Sequence, residues 1–215
     1  MKKIKFSKKI FYLNSNGSIY WPEEKALVLG DLHLEKSSYF AKLGDFLPPY
    51  DSFETLSKLE RTLQLLDVKK VILLGDIFHD KNGIKRLSNN LKYYLENLCK
   101  KYDVIWLIGN HDGNYRPNLA KFCNNYKINN IYFNHKSIES NNFELSGHYH
   151  PKATTFFFKT KVSRPCFLIS KSKIILPAFG SYTGGLDAKD KIFKDVINEK
   201  YLIYLTLNNK LIKIS

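Results

Sequence analysis

The chain has 215 residues, of which 44% are hydrophobic and 25% charged, with 34 Lys plus Arg against 20 Asp plus Glu for a formal net charge of +14. That length fits one large domain, assigned as 1–215, and the balance excludes wholesale disorder, collagen-like repetition and a coiled coil. The longest apolar runs fall far short of the roughly 20 residues that span a bilayer, so no membrane segment is expected.

The first predicted element is a hairpin over residues 10–21, turning at Asn14-Ser15-Asn16-Gly17, where Asn-Gly supplies the positive φ of a tight turn. It is expected at the edge of a sheet. Residues 26–29, 71–74 and 104–108 read as three buried strands, each ending in glycine and a polar side chain: Gly30-Asp31, Gly75-Asp76 and Gly109-Asn110. Between the first two, Phe53, Leu56, Leu59, Leu63 and Leu66 keep helical spacing, and Asp51 with Glu54 offers a capping box. A second helix is predicted over 85–101, with Leu87, Leu91, Leu95 and Leu98 on one stripe. Strand-helix alternation implies a parallel α/β half. Beyond residue 130 the pattern turns β-rich, with strands at 131–133, 143–146, 154–158, 166–169, 174–176 and 201–207 and a helix over 188–198. A last hairpin turns at Asn208-Asn209 into residues 211–214, and the second half reads as a second sheet packed on the first.

The stretch after Met1-Lys2-Lys3 is broken by Lys8, Lys9, Asn14 and Gly17, so no leader peptide is expected. Cys99, Cys123 and Cys166 show no C-x-x-C spacing, which argues against a disulfide framework or a cysteine zinc site and for a cytoplasmic location. The basic balance suits contact with polyanions. Scattered lysines also arise from compositional bias, and charge alone leaves the two readings level.

Six histidines carry the chemical signal. They fall in Asp31-Leu32-His33, Gly75-Asp76-Ile77-Phe78-His79, Gly109-Asn110-His111-Asp112, Asn134-His135 and Gly147-His148-Tyr149-His150. In an extended segment residues two apart point the same way, so Asp31 with His33, and His148 with His150, can each offer two ligands to one side. Carboxylate, imidazole and amide donors suit Mn²⁺, Fe²⁺ or Zn²⁺, and the donors outnumber one ion's needs, which points to a two-metal site. His135 stands alone after a strand, and an ordinary loop histidine is the competing reading.

In the order D-x-H, G-D-x-x-H, G-N-H-D, H and G-H-x-H, residues 31–150 resemble the calcineurin-like metallophosphoesterases. The strings Asp31-Leu32-His33-Leu34-Glu35-Lys36, His150-Pro151, Arg164-Pro165-Cys166-Phe167 and the run from Leu176 to Gly185 look like the ligase-associated DNA-damage-response endonuclease branch. The resemblance implies an α/β fold, a four-layer α/β/β/α sandwich of two packed mixed sheets. It implies that Asp31, His33 and His150 bind one divalent metal, that Asn110, His135 and His148 bind the other, and that Asp76 bridges both. Mn²⁺ is the favoured metal. Attack by a metal-bridging hydroxide on a phosphodiester would leave His111 to protonate the leaving oxygen as general acid, with Asp112 orienting it. His79 would touch a substrate phosphate or support His111. Arg164 would clamp a phosphate, or merely pair with a carboxylate.

DNA is the substrate this branch implies, with association to a DNA ligase or helicase. A small-molecule phosphatase or phosphodiesterase is the alternative. A non-catalytic scaffold fits least, because no metal position is lost. The run from Gly180 to Gly185 lacks a Walker ending and reads as a tight loop, bordering the metal site or simply turning the chain. Phe156-Phe157-Phe158 reads as core and sheet packing, with stacking on nucleic-acid bases as the lesser alternative.

Overall fold

A computed structural model of the chain describes residues 1–207 and 209–214, leaving aside the Phe157 side chain. Asn208 in the last expected turn, and the Phe157 side chain in the aromatic run, lie outside the described residues. The three glycine-ended strands form β4 (Ala26–Leu29), β5 (Lys70–Leu73) and β6 (Asp103–Leu107), which pair in parallel. On one side they continue into β3 (Ile19–Trp21), β2 (Lys9–Leu13) and β1 (Lys2–Phe6), all antiparallel, and on the other into β7 (Lys121–Cys123). The predicted hairpin is therefore interior, and β1 takes the edge. Phe6 of β1 packs its ring on Phe11 and Phe143, while Lys2, Lys3 and Lys5 face water and discourage pairing with another chain. Those lysines make the strand read as polar.

The second sheet runs β15 (Lys210–Ile214), β14 (Leu202–Leu207), β12 (Thr160–Ile169), β13 (Lys173–Ile175), β10 (Phe143–Ser146), β9 (Ile131–Asn134) and β8 (Asn125–Ile128), and β11 (Lys152–Phe157) forms a hairpin with the outer part of β12. β10 is parallel to β9 and β13, and the other pairs are antiparallel, so both sheets are mixed.

The layers follow from alternation. Ala26 and Val28 face inward with Trp21, Phe133, Leu145 and Phe167 to make the core between the sheets. Leu27 and Leu29 face outward to meet Leu56, Leu59 and Leu63 of α2 (Asp51–Leu65) and Leu95 and Leu98 of α4 (Asn89–Lys101). Leu168 and Ile175 face Phe193 and Ile197 of α5 (Lys191–Ile197) on the far side. The four-layer α/β/β/α expectation holds.

Two helix expectations change. The 85–101 segment breaks into α3 (Gly83–Arg86) and α4, because Ser88 takes an extended conformation and its hydroxyl caps α4 at the Leu91 N–H. At α2 there is no capping box. Asp51 turns its carboxylate away, accepting the backbone N–H groups of Lys36 (2.8 Å) and Ser37 (3.2 Å), and so caps the short α1 (Lys36–Lys42), which helical spacing does not foretell. Phe53, counted in the α2 stripe, is 62% exposed.

Candidate metal centre

The loops after β4 and β5 are zipped together by backbone bonds from Asp31 N to Gly75 O, His33 N to Asp76 O and Leu34 N to Ile77 O. They are not extended. Asp31, His33 and Asp76 have φ of 57°, 45° and 50°, and His148 and His150 have 71° and 46°, so five candidate ligands occupy the left-handed region that non-glycine residues seldom adopt. This changes the pairing drawn from an extended backbone. Asp31 and His33 still serve one cluster, but His148 and His150 part company.

Asp31, His33 and His150 form one cluster, and Asp76, His135 and His148 the other, the donor atoms within each lying within 4.8 Å of one another. In the first, His33 Nε2 lies 3.2 Å from His150 Nε2, which is 3.3 Å from Asp31 Oδ1. In the second, His135 Nε2 lies 3.1 Å from His148 Nδ1, 2.9 Å from Asn110 Oδ1 and 3.4 Å from Asp76 Oδ2. His135 Nδ1 is 2.8 Å from the Leu74 carbonyl, to which it donates its proton, and in the neutral ring that leaves Nε2 a lone pair facing other acceptors. The imidazole nitrogens and the carboxylate and amide oxygens that converge there are a ligand set that suits a divalent cation.

Burial disfavours the His135 imidazolium, yet the hydrogen bond to Asp76 and the charges of Asp31 and Asp76 outweigh it and raise the pKa. Burial also works against the Asp76 carboxylate, but His135 and the His111 N–H lower its pKa on balance. Burial drives His33 down to about 3 despite Asp31. His148 is lowered by burial first and by His135 second.

Glycine is dictated at two of the approaches. A Cβ on Gly147 would collide with the Asp31 carboxylate, which accepts the His148 N–H at 2.9 Å. A Cβ on Gly109 would collide with the Asp76 carboxylate, which accepts the His111 N–H at 2.8 Å. The carboxylates must touch backbone there, so no side chain fits.

His111 Nε2 lies 4.0 Å from Asp76 Oδ2, its side chain 43% exposed. Its ring stands edge-on to His33 (5.4 Å between centroids) and lies parallel to His79 (5.9 Å, 8° between planes). Burial lowers the His79 pKa to about 4, with the charges of Lys36 and His111 adding to it. Asp112 does not orient the His111 ring. Its buried carboxylate accepts the N–H groups of Ile77 (2.8 Å), Gly109 (2.9 Å) and Asp76 (3.0 Å), because three orphan donors at the turns outcompete one exposed imidazole. Arg164 is exposed on β12, its guanidinium on the Ser163 carbonyl at 3.0 Å, and the fold does not bring it among the ligands.

The Gly180 loop borders the centre, since Phe179 N–H donates to Gly30 O and Gly180 N–H to Asp31 O. Thr55 and Lys58 of α2 hold that loop through the Ser181 N–H and the Phe179 carbonyl. Neither residue is flagged by sequence. Tyr39 and Phe40 of α1, whose rings lie 4.9 and 5.6 Å from His79, are likewise missed, and their place directly after the Asp31-to-Lys36 string is the one signal available.

Residues 24–204 match the model of the calcineurin-like phosphoesterase family. The whole fold is similar to the crystal structure of Pseudomonas putida nuclease MPE, with a TM-score of 0.79 and 22% sequence identity over 99% of each chain. No protein in the curated comparison matches the chain.

Proposed function

Because the chain belongs to the calcineurin-like phosphoesterase family, a group of phosphoester hydrolases, we propose that it cleaves phosphodiester bonds in DNA with two divalent metals, Mn²⁺ foremost, and with His111 as general acid. The observation that carries this is the pair of acceptor clusters, Asp31, His33 and His150 beside Asp76, His135 and His148, with a half-exposed His111 standing over both carboxylate and imidazole groups. Asn110, 2.9 Å from His135 Nε2, would join the second cluster, and Asp76 would be shared between the two cations. Bound there, the two cations would neutralise phosphoryl oxygens and lower the pKa of coordinated water.

The residues supply the rest. Asp31 and Asp76 are held by backbone N–H groups, so their oxygens stay aimed at the site as substrate arrives. His111, held at its own N–H by Asp76 and faced by His79, presents an imidazole that can give its proton to the leaving oxygen. The net charge of +14 supports a polyanionic substrate, and the likeness to a nuclease fold is in keeping with it. The nitrogen and oxygen donors favour Mn²⁺ over thiophilic metals. The three cysteines, unpaired with one another, suit a cytoplasmic setting, and association with a DNA ligase or helicase belongs to the same reading.

The test is hydrolysis of bis(p-nitrophenyl) phosphate and of p-nitrophenyl phosphate by metal-stripped protein with Mn²⁺, Fe²⁺ or Zn²⁺ restored, beside His111→Ala, followed by a DNA substrate over a salt series. Mn²⁺-dependent diester turnover is expected, with DNA cleavage weakening steeply in salt and falling about a hundred-fold or more in the variant, because an alkoxide leaving group needs the general acid and p-nitrophenolate does not. Preference for the monoester makes the protein a small-molecule phosphatase instead.

A further inference from the structure

Tyr39 and Phe40 are aromatic residues that belong to none of the three apolar cores. Both are half-buried. Their ring neighbours are each other (5.5 Å) and His79, which Tyr39 meets edge-on at 4.9 Å and Phe40 meets near-parallel at 5.6 Å and 30°. His79 in turn lies parallel to His111. A ladder of flat rings thus leads from the leaving-group acid out to α1, and the residues following, 41–46, are all exposed. An aromatic only half buried at a wet surface beside a catalytic centre keeps part of its ring open to a ligand.

A cation flanks the ladder. The Lys36 ammonium stands 5.9 Å from the Phe40 centroid. Burial lowers its pKa first, and repulsion from Lys152, the second residue after His150, adds to that, with Asp51 as the one opposing carboxylate among its causes. The platform is rigid, because Asp51 holds the N–H groups of Lys36 and Ser37 and Arg86 holds the Ser38 hydroxyl at 2.9 Å.

We infer that Tyr39 and Phe40 form a stacking subsite for the nucleobase on the leaving-group side of the scissile phosphodiester, with Lys36 on a neighbouring phosphate. The inference rests on the phosphodiesterase reading and adds to it that the bases themselves are recognised, through their π faces and without a hydrogen-bond code.

The experiment compares two short fluorescent single strands of equal length and charge, one of ordinary DNA and one abasic throughout, cleaved by the full chain with Mn²⁺. The wild type is expected to cut the strand with bases about ten-fold faster. Tyr39→Leu and Phe40→Leu each bring that ratio toward one, while Phe40→Trp, which restores a ring, retains it, and melting curves establish that each variant folds. Equal cleavage of both strands by the wild type, or an unchanged ratio in the leucine variants, overturns the subsite. If the wild type cuts neither strand yet hydrolyses bis(p-nitrophenyl) phosphate, the subsite falls and the phosphodiesterase reading stands. Loss of every diester activity removes that reading, and the subsite with it.

Discussion

The two sheets bring ligands to one centre by opposite electrostatic means. On the first sheet an anion gathers donors: the Asp112 carboxylate accepts the N–H groups of Asp76, Ile77 and Gly109, tying the loop after β5 to the loop after β6. On the second a cation gathers acceptors: the buried Lys173 ammonium donates to the Ser137 hydroxyl (3.1 Å) and to the carbonyls of Ile138 (2.6 Å) and Val196 (2.8 Å), fixing the loop that starts at His135. Glu144, its register partner on β10, accepts the Ile138 N–H at 3.4 Å. A loop leaving a strand presents either unpaired N–H or unpaired C=O groups, and a single buried charge of the right sign satisfies several at once.

Removing the anion has the largest expected effect. Asp112→Ala takes the acceptor from the N–H groups of Asp76, Ile77 and Gly109 and from the longer contacts of Phe78 N–H (3.4 Å) and Trp106 Nε1 (3.5 Å), and about 4 kcal/mol of stability is expected to go, read as a lower urea midpoint at unchanged slope. Asp112→Asn keeps one carbonyl oxygen and falls between. An alanine variant as stable as the wild type, with both metals still bound, would show that the carboxylate is not what joins the two loops.

Removing the cation is expected to cost less in stability and to be more selective. Lys173→Met strips three acceptors of their donor and leaves Glu144 buried without an offsetting charge, a loss of about 3 kcal/mol. Burial already raises the Glu144 pKa against the Ser137 hydrogen bond and the Lys173 charge, so the carboxyl takes up a proton more readily once the lysine is gone. Calorimetric titration with Mn²⁺ is expected to show one binding event weakened by about ten-fold or more, the one that uses His135, with the other retained. Adding Glu144→Leu restores stability and leaves the metal defect. Equal weakening of both events would mean that Lys173 merely supports the fold.

This contrast also marks what the sequence discloses. The first half announces itself, since Gly30-Asp31, Gly75-Asp76 and Gly109-Asn110 repeat after apolar strands, and at Gly109 the structure shows the cause in a carboxylate pressed against backbone. The ligand types and their order are legible for the same reason. The left-handed φ values are not, because each is imposed by the neighbouring loop and not by the residue's own preference. Asp112 is legible as a member of the motif but not in its role, since an Asp beside a His reads as its partner until the orphan N–H groups are placed. Lys173 and Glu144 carry no signal at all, being 29 residues apart in elements of opposite ends of a crossover. The same limit hides α1, whose cap comes from Asp51 in the next helix, and the break at Ser88.

Lys58 offers the mildest test and the finest one, because it is a second cation gathering a carbonyl, now on the first sheet's side. Its ammonium caps the Phe179 carbonyl and lies 4.1 Å over the Phe179 ring, and burial lowers its pKa to about 8, against partial support from Glu54. In the unfolded chain the same amine titrates at its ordinary value of 10.5. Between pH 8 and 10.5 the unfolded state therefore binds more protons than the folded one, and stability contributed by this group rises with pH across that window. The gain from pH 8 to pH 10 comes to about 2 kcal/mol, measured as the difference between wild type and Lys58→Met so that other titrating groups cancel. The methionine variant is expected to lose some stability at every pH with its carbonyl uncapped, and to lack the rise. A parallel pair of pH profiles would place the Lys58 amine in water instead of against the Phe179 carbonyl and ring.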